Sequence, residues 1–123
     1  MRDHTKLKVF SLADDLTVRI YKCTQGFPDT ERYGLQSQLR RAAVSVPTNI
    51  VEGCTRSTPK DFLRFLTIAH GSASEVRYLI DLSGRIELLA PDVARLLHES
   101  YDLLVRNLGA LIRTIDDDLK RNA

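Results

Sequence analysis

The most constraining feature of this chain is a stripe of apolar residues in its last third, spaced in turn by three and four. Two turns of an α-helix take about seven residues, so residues with this spacing line one side of a long helix. The stripe is unbroken and consists of Ala94, Leu97, Tyr101, Leu104, Leu108, Leu111 and Ile115. A helix that is apolar along one side buries that side against other helices, so the sequence predicts a helical bundle.

Three earlier segments show the same helical spacing, and no segment has the alternation typical of a strand. Their apolar residues are Val9, Ala13, Leu16, Ile20 and Cys23, then Leu35, Leu39, Ala42 or Ala43, Val46 and Ile50, and then Phe62, Leu66, Ala69, Ala73, Val76 and Ile80. Short connections between helices are typical of antiparallel neighbours. The sequence therefore predicts an all-α fold, an antiparallel up-down four-helix bundle that forms a single domain over residues 1–123.

Several helix boundaries carry recognisable signals. Ser11 followed by Asp14 resembles a capping box, which would start the first regular helix at Ser11. Thr58 and Pro59 are typical of the N-cap and the first position of a helix, here the third. We also expect Gly53 to close the second helix and the tail at 116–121 to fray.

Pro47 interrupts the second helical segment. A proline inside a helix removes one backbone hydrogen bond and costs about 3 kcal/mol or more where nothing compensates. The sequence predicts a helix that is kinked at Pro47 and in which the Ala43 carbonyl loses its usual donor. We expect Ser45, Thr48 or a neighbouring helix to supply the replacement bonds.

Small and polar residues near the proline have two possible roles. Asn49 and Glu52 lie one turn apart, and the role we favour is bonding to backbone groups that the proline frees, the alternative being a polar binding site. On the third helix Gly71 and Ser72 are small enough to let another helix approach closely. Glu75, one turn later, is placed to meet an arginine there.

The charge and the cysteine content limit the classes of function that this chain could have. The net charge is only +2, so a nucleic-acid interpretation depends on where the charges lie. The range 32–64 holds six basic residues against two acidic ones.

The two cysteines have no metal-ligand spacing and predict reduced, packed thiols, with no metal and no cofactor. With neither a signal peptide nor a membrane span, we expect a cytoplasmic protein that does not enter a membrane.

Five basic residues are candidates for phosphate contacts, because guanidinium and ammonium groups bind phosphate oxygens. Adjacent helix positions point about 100° apart, so one arginine of the neighbouring pair could instead form an ion pair with Glu52 or Glu75. Arg56, Lys60 and Arg64 advance by four, which predicts a basic stripe of all three if the third helix extends back through Thr58, or of two if it does not. The alternative for these three is an ordinary solvated helix face. The five candidates are Arg40, Arg41, Arg56, Lys60 and Arg64.

The third and fourth helices carry a second set of apolar residues away from the main stripe. A monomer needs one buried side per helix, so this set predicts a subunit interface in a homo-oligomer. Its members are Phe65, Ile68, Leu79, Leu96, Leu103 and Ile112.

These motifs together resemble one family closely, from about Leu7 to Leu119. The residues that carry the resemblance are Phe27-Pro28, Tyr33-Gly34-Leu35, Gln38-Leu39-Arg40-Arg41-Ala42, Ser45-Val46-Pro47, Asn49-Ile50, Glu52-Gly53, Arg56, Phe62, Phe65-Leu66, Ala69, Gly71-Ser72 and Glu75. The chain is similar to the four-helix-bundle proteins of 23S ribosomal RNA intervening sequences, also called the S23 ribosomal protein family. That family is related to the accessory variability determinants of diversity-generating retroelements.

The resemblance implies a basic homopentamer with RNA, DNA or a ribonucleoprotein component such as a reverse transcriptase as partner, and it implies no known reaction. We therefore expect a non-catalytic, RNA-associated binding or scaffold protein. One alternative is an oligomer that binds only proteins. A more remote one is a ribonuclease of the HEPN type using Arg64 and His70, although these residues point about 120° apart on a helix.

Overall fold

The computed structural model describes residues 2–123, and within this range all regular structure is helical. Four α-helices follow one another: α1 spans Lys8–Thr24, α2 Leu35–Cys54, α3 Pro59–Arg85 and α4 Pro91–Arg121. Short 3-10 turns occur at His4–Lys6 and Asp29–Glu31. The helices pack in chain order, α1 on α2, α2 on α3 and α3 on α4, with α4 also touching α1. The predicted all-α four-helix bundle is confirmed.

The predicted stripes form the core. The largest fully buried side chains belong to Tyr101 and Phe62, and the next largest come from all four helices. The latter are Leu16, Ile20, Leu39, Ile50, Leu66, Ile80, Leu104 and Leu108. Burial of this apolar surface, at about 25 cal/mol per Å², is the main force that holds the helices together.

The boundaries of α3 and α4 agree closely with the sequence. The hydroxyl of Thr58 accepts a hydrogen bond from the Asp61 amide at 3.1 Å, and Pro59 is the first residue of α3. Pro91 is likewise the first residue of α4. The expected fraying after Ile115 is wrong, because α4 continues to Arg121 and its last turn contains an Asp116–Lys120 ion pair of 3.1 Å.

The start of α1 was predicted wrongly. The helix begins at Lys8, and Ser11 lies inside it without capping anything. The carbonyl of Leu7 accepts bonds from the Phe10 and Ser11 amides at 3.1 and 3.2 Å, which begins the helix before the apparent capping box. Leu7 and Phe10 pack against the core, so tertiary contact stabilises this first turn.

Helix α2 runs without interruption through Pro47 to Cys54. We expected Gly53 to close α2, but Gly53 is the penultimate residue of the helix, which ends at Cys54. The Ala43 carbonyl has a replacement donor on a neighbouring helix, the hydroxyl of Thr17 on α1, at 3.1 Å. This confirms the expected replacement bond, whereas the kink itself stays a prediction.

Half of the second apolar set is fully or partly covered within the bundle. Leu79 is only 3% exposed and belongs to the core, so its assignment to a subunit interface is wrong. Ile112 packs partly against the core as well. Ile68, Leu96 and Leu103 keep 43%, 49% and 44% of their surface exposed, and these three remain available to a partner.

Candidate nucleic-acid interface

Four residues at the turn between α2 and α3 form what we call the cation–aromatic cluster: Arg56, Lys60, Arg64 and Phe65. The Cζ atom of Arg56 lies 4.7 Å from the centre of the Phe65 ring, and that of Arg64 lies 4.5 Å from it. Lys60 is one helical turn before Arg64, so it shares the same side of α3. Three of the five predicted phosphate-binding residues therefore come together.

Local packing places Phe65 between the arginines. A Cβ atom on Gly53 would lie 3.0 Å from Cβ of Phe65 and 3.1 Å from Cδ1 of Phe62. Only glycine lets α2 approach α3 this closely. Arg56 itself lies before α3 begins, and its side chain reaches the ring from the turn. The predicted stripe thus holds within α3 for Lys60 and Arg64, and Arg56 joins them through Phe65.

The charges of the cluster are incompletely balanced. Arg56 pairs with Glu52, four residues earlier, while Nε of Arg64 is 3.8 Å from a carboxylate oxygen of Asp61. Within the described residues, Lys60 has no acidic partner within 4 Å. Three cations facing two carboxylates leave a net positive charge. Exposed pairs of this kind are weak and exchange readily for other anions.

Arg2 belongs to the same end of the bundle, although no sequence pattern indicated it. Its amide donates to the Cys54 carbonyl at 2.8 Å, which ties the N-terminal segment to the end of α2. Its guanidinium carbon lies 4.1 Å above the centre of the Phe62 ring. Arg2 therefore adds positive charge near the cluster, and only the fold brings it there.

The other two candidate arginines lie elsewhere, about 20 Å along α2 from Arg56. Arg40 is structural: its Nε donates to the Thr24 hydroxyl at 2.9 Å, and one terminal nitrogen donates to the Tyr21 carbonyl at 3.2 Å. Arg40 also stacks on the Tyr21 ring at 4.7 Å. These bonds attach α2 to the end of α1, so Arg40 binds neutral groups and does not form the expected ion pair.

Arg41 is exposed and lines an open polar groove of about 580 Å³ between α2 and α3. Glu75 lines the same groove, yet the recorded bond of Glu75 goes to Nε2 of Gln38 at 3.5 Å. Within residues 2–123, Arg41 pairs with no carboxylate within 4 Å, so its expected pair with Glu75 or Glu52 is not formed. Arg41 is thus a free cation, separate from the cation–aromatic cluster.

The polar residues around Pro47 connect helices. Nδ2 of Asn49 donates to the Ser45 carbonyl at 2.7 Å and lies 3.0 Å from the Ser45 hydroxyl, which in turn lies 2.8 Å from the Ser72 hydroxyl on α3. Asn49 therefore bonds to a backbone carbonyl, but not to the Ala43 carbonyl that Pro47 frees, so the favoured role is not borne out for this residue. Glu52 instead pairs with Arg56.

Gly71 and Ser72 differ from each other in role. Ser72 joins α3 to α2 through its hydroxyl, whereas a Cβ atom on Gly71 would meet nothing within 4 Å. Within residues 2–123 no helix approaches Gly71 closely, so the close contact expected there is wrong for Gly71 within one subunit. The open side of α3 at Gly71 faces outward.

Within one chain, the structure does not bring together Arg64 and His70, the two residues of the ribonuclease alternative. His70 faces α4, where a Cβ atom on Gly109 would lie 3.6 Å from its Nε2. Arg64 lies over Phe65, next to α2. The described residues also contain no group of three metal-ligating side chains and no helix that is apolar and long enough to cross a membrane.

Both cysteines are free thiols, Cys54 buried and Cys23 partly buried. Burial raises the pKa of each thiol, since desolvation disfavours the thiolate. Among residues 2–123, Tyr101 is the most deeply buried titratable group and its hydroxyl has no hydrogen-bond partner. Burial raises the pKa of Tyr101 far above the ordinary value. These groups belong to the core and do not contribute to the surface site.

Comparison with known proteins agrees with this architecture. The family model described as 23S rRNA-intervening sequence protein matches residues 5–110. The fold is similar to the crystal structure of a protein of unknown function from the S23 ribosomal protein family of Bacteroides thetaiotaomicron. That similarity has a TM-score of 0.76 at 23% identity and covers 85% of this chain and 97% of the other. No curated protein matches the chain significantly.

Proposed function

This chain belongs to the 23S rRNA-intervening sequence protein family, and we propose that it is a cytoplasmic, non-catalytic RNA-binding or scaffold protein. The phosphate contacts come from the cation–aromatic cluster, with Arg41 as an additional free cation. Arg40, at the other end of α2, attaches α2 to α1. The binding is of the kind that reads charge and unstacked bases, not base sequence.

The observation that carries this proposal is the pair of arginines on Phe65, beside the unpaired Lys60. Single-stranded RNA is commonly bound by stacking bases on aromatic rings or on guanidinium planes, next to cations that contact the phosphates. The cluster supplies guanidinium planes and positive charge around one aromatic ring.

The same protein is proposed to assemble as a homo-oligomer, a pentamer by family resemblance. Leu103 follows Asp102, which pairs with Arg77 on α3, so Leu103 points about 100° away from that contact. Ile68 is one turn before Ser72 and lies on the α2 side of α3. Exposed apolar residues thus occupy two different surfaces, as a closed ring with head-to-tail contacts requires. Light scattering that gives a monomer or dimer at micromolar concentration contradicts the pentamer.

A second candidate function is an oligomer that binds only a protein, for example a reverse transcriptase. The exposed Ile68, Leu96 and Leu103 favour it, because they are apolar and lie outside the cluster. In that case the cations of the cluster serve protein contacts, and no RNA affinity exists.

The test is fluorescence anisotropy of a labelled single-stranded RNA with the wild type and with a variant carrying Arg56→Ala, Lys60→Ala and Arg64→Ala. The matched control changes Arg106, Arg113 and Arg121 of α4 to Ala, which removes the same charge from exposed positions elsewhere. We expect the cluster variant to lose at least tenfold in affinity and the control variant to lose far less. Equal losses would show a general charge effect, and no binding by the wild type would favour the protein-binding alternative.

A further inference from the structure

A second charged groove lies at the opposite end of α3 from the cation–aromatic cluster. It has a volume of about 360 Å³ and is formed by the end of α3 and the first two turns of α4. Its lining residues are Asp81, Gly84, Arg85, Pro91, Ala94, Arg95 and His98. About 25 residues of α3 separate it from Lys60, which corresponds to roughly 37 Å. No step of the proposed RNA binding uses it.

We propose that this groove binds a small phosphate monoester. Arg85 and Arg95 line it from the two helices, and within residues 2–123 neither has a carboxylate within 4 Å. Guanidinium groups present pairs of donors that match phosphate oxygens. Two arginines without a carboxylate partner among the described residues thus line one concave surface, where their guanidinium groups can bind a phosphate group.

His98 and Asp81 supply the polar wall of the groove. Nδ1 of His98 is buried and lies 2.9 Å from Oδ1 of Asp81, but within the described residues it has no hydrogen-bond partner. His98 thus adds an imidazole to the lining of the groove, and imidazole nitrogens can bond to the oxygens of a phosphate group. Within the described residues, Asp81 forms no ion pair with either arginine, and its charged neighbour is His98.

The floor of the groove is shaped by the close packing of α3 on α4. A Cβ atom on Gly84 would lie 3.0 Å from Cβ of Ala94, so the two helices nearly touch and leave a shallow apolar floor that includes Pro91. The Leu88 and Leu89 amides both donate to the Ser83 carbonyl, at 2.8 and 3.2 Å, which satisfies that carbonyl at the end of α3. A floor of this kind suits the flat or apolar body of a ligand whose phosphate meets the arginines.

The test uses adenosine 5′-monophosphate as probe, with adenosine and inorganic phosphate as comparisons. Binding to the full-length protein is followed by NMR through the ring signals of His98, whose assignment comes from a His98→Gln sample. We expect the monophosphate to shift these signals in a saturable way, inorganic phosphate to do so more weakly, and adenosine not to do so. A variant with Arg85→Gln and Arg95→Gln should lose at least tenfold in affinity.

Two controls keep the outcomes separate. Arg113→Gln removes an exposed arginine elsewhere on α4 and should leave binding unchanged, and circular dichroism verifies that each variant is folded. The variant lacking Arg56, Lys60 and Arg64 should also bind the monophosphate normally, so failure of the RNA proposal leaves this result intact. Absence of any shift at millimolar monophosphate, or equal shifts by adenosine, overturns the proposal. Shifts of the His98 signals by single-stranded RNA, without shifts by the monophosphate, would assign the groove to RNA and overturn the proposal as well.

Discussion

The replacement bond at Pro47 gives a prediction that can be worked through from the structure. The single proton of the Thr17 hydroxyl is shared between the carbonyl of Ala13 in its own helix, at 2.7 Å, and that of Ala43 in α2, at 3.1 Å. Pro47 has no amide proton to give to Ala43. Changing Thr17 to Val should therefore leave a part-buried carbonyl without a donor, which costs about 1–2 kcal/mol of unfolding free energy.

The same change should cost much less when Pro47 is replaced by Ala. The new amide at position 47 would then bond to the Ala43 carbonyl, and Thr17 would satisfy only its own helix. A double-mutant cycle should give a coupling free energy of about 0.5–1.5 kcal/mol between the two positions. The assay is unfolding in urea followed by helical circular dichroism, with every variant at one protein concentration, because an oligomer makes stability depend on concentration.

Thr67 provides the matched control. It is exposed on α3, and its hydroxyl donates only to the Leu63 carbonyl of the same helix, at 2.9 Å. Thr67→Val should change stability by less than about 0.5 kcal/mol whether proline or alanine is at position 47. If Thr17→Val costs the same in both backgrounds, the hydroxyl does not compensate for the proline and the account of α2 is wrong.

Three further predictions concern packing and titration. Gly53→Ala should destabilise the fold by about 1–3 kcal/mol through overpacking. Gly71→Ala, with open space around it, should stabilise the fold by up to about 1 kcal/mol. Urea unfolding compares the two variants, and equal effects would contradict the close approach of α2 to α3 at Gly53. Burial raises the Tyr101 pKa, so the folded chain keeps a proton that the unfolded chain loses. Stability should be intact below about pH 10 and fall above it, and Tyr101→Phe should reduce that fall; an unchanged profile would exclude Tyr101 as its source. Since burial also raises the pKa of Cys23 and Cys54, both should react with iodoacetamide at neutral pH far more slowly in the folded than in the urea-unfolded protein, and similar rates would contradict their packing.

Much of the fold could be predicted because its signals are local. Thr58 and Pro59 define a helix start through hydrogen bonds within four residues, and the stripe ending at Ile115 defines one side of α4 by spacing alone. The error at Ser11 has the same origin. A capping pattern is a local preference, and the packing of Leu7 and Phe10 on the core outweighed it.

The candidate site depends on contacts between helices, which the spacing of residues along the sequence does not reveal. The sequence marked Lys60 and Arg64 by their interval of four, but the convergence with Arg56 requires α2 and α3 to meet at Gly53. Arg40 and Arg41 look equivalent in the sequence. Only the position of α1 decides that the first bonds to Thr24 and that the second stays free.

The most direct test of the account is the salt dependence of RNA affinity. Each phosphate contact with single-stranded RNA contributes about 0.7 to the slope of log affinity against log salt. If Arg56, Lys60 and Arg64 all contact phosphates, changing them to Ala should flatten the slope by about 2, while the triple-arginine control on α4 keeps it near the wild-type value. A cluster variant whose slope equals that of the wild type would contradict the central claim, because these residues would then make no phosphate contacts.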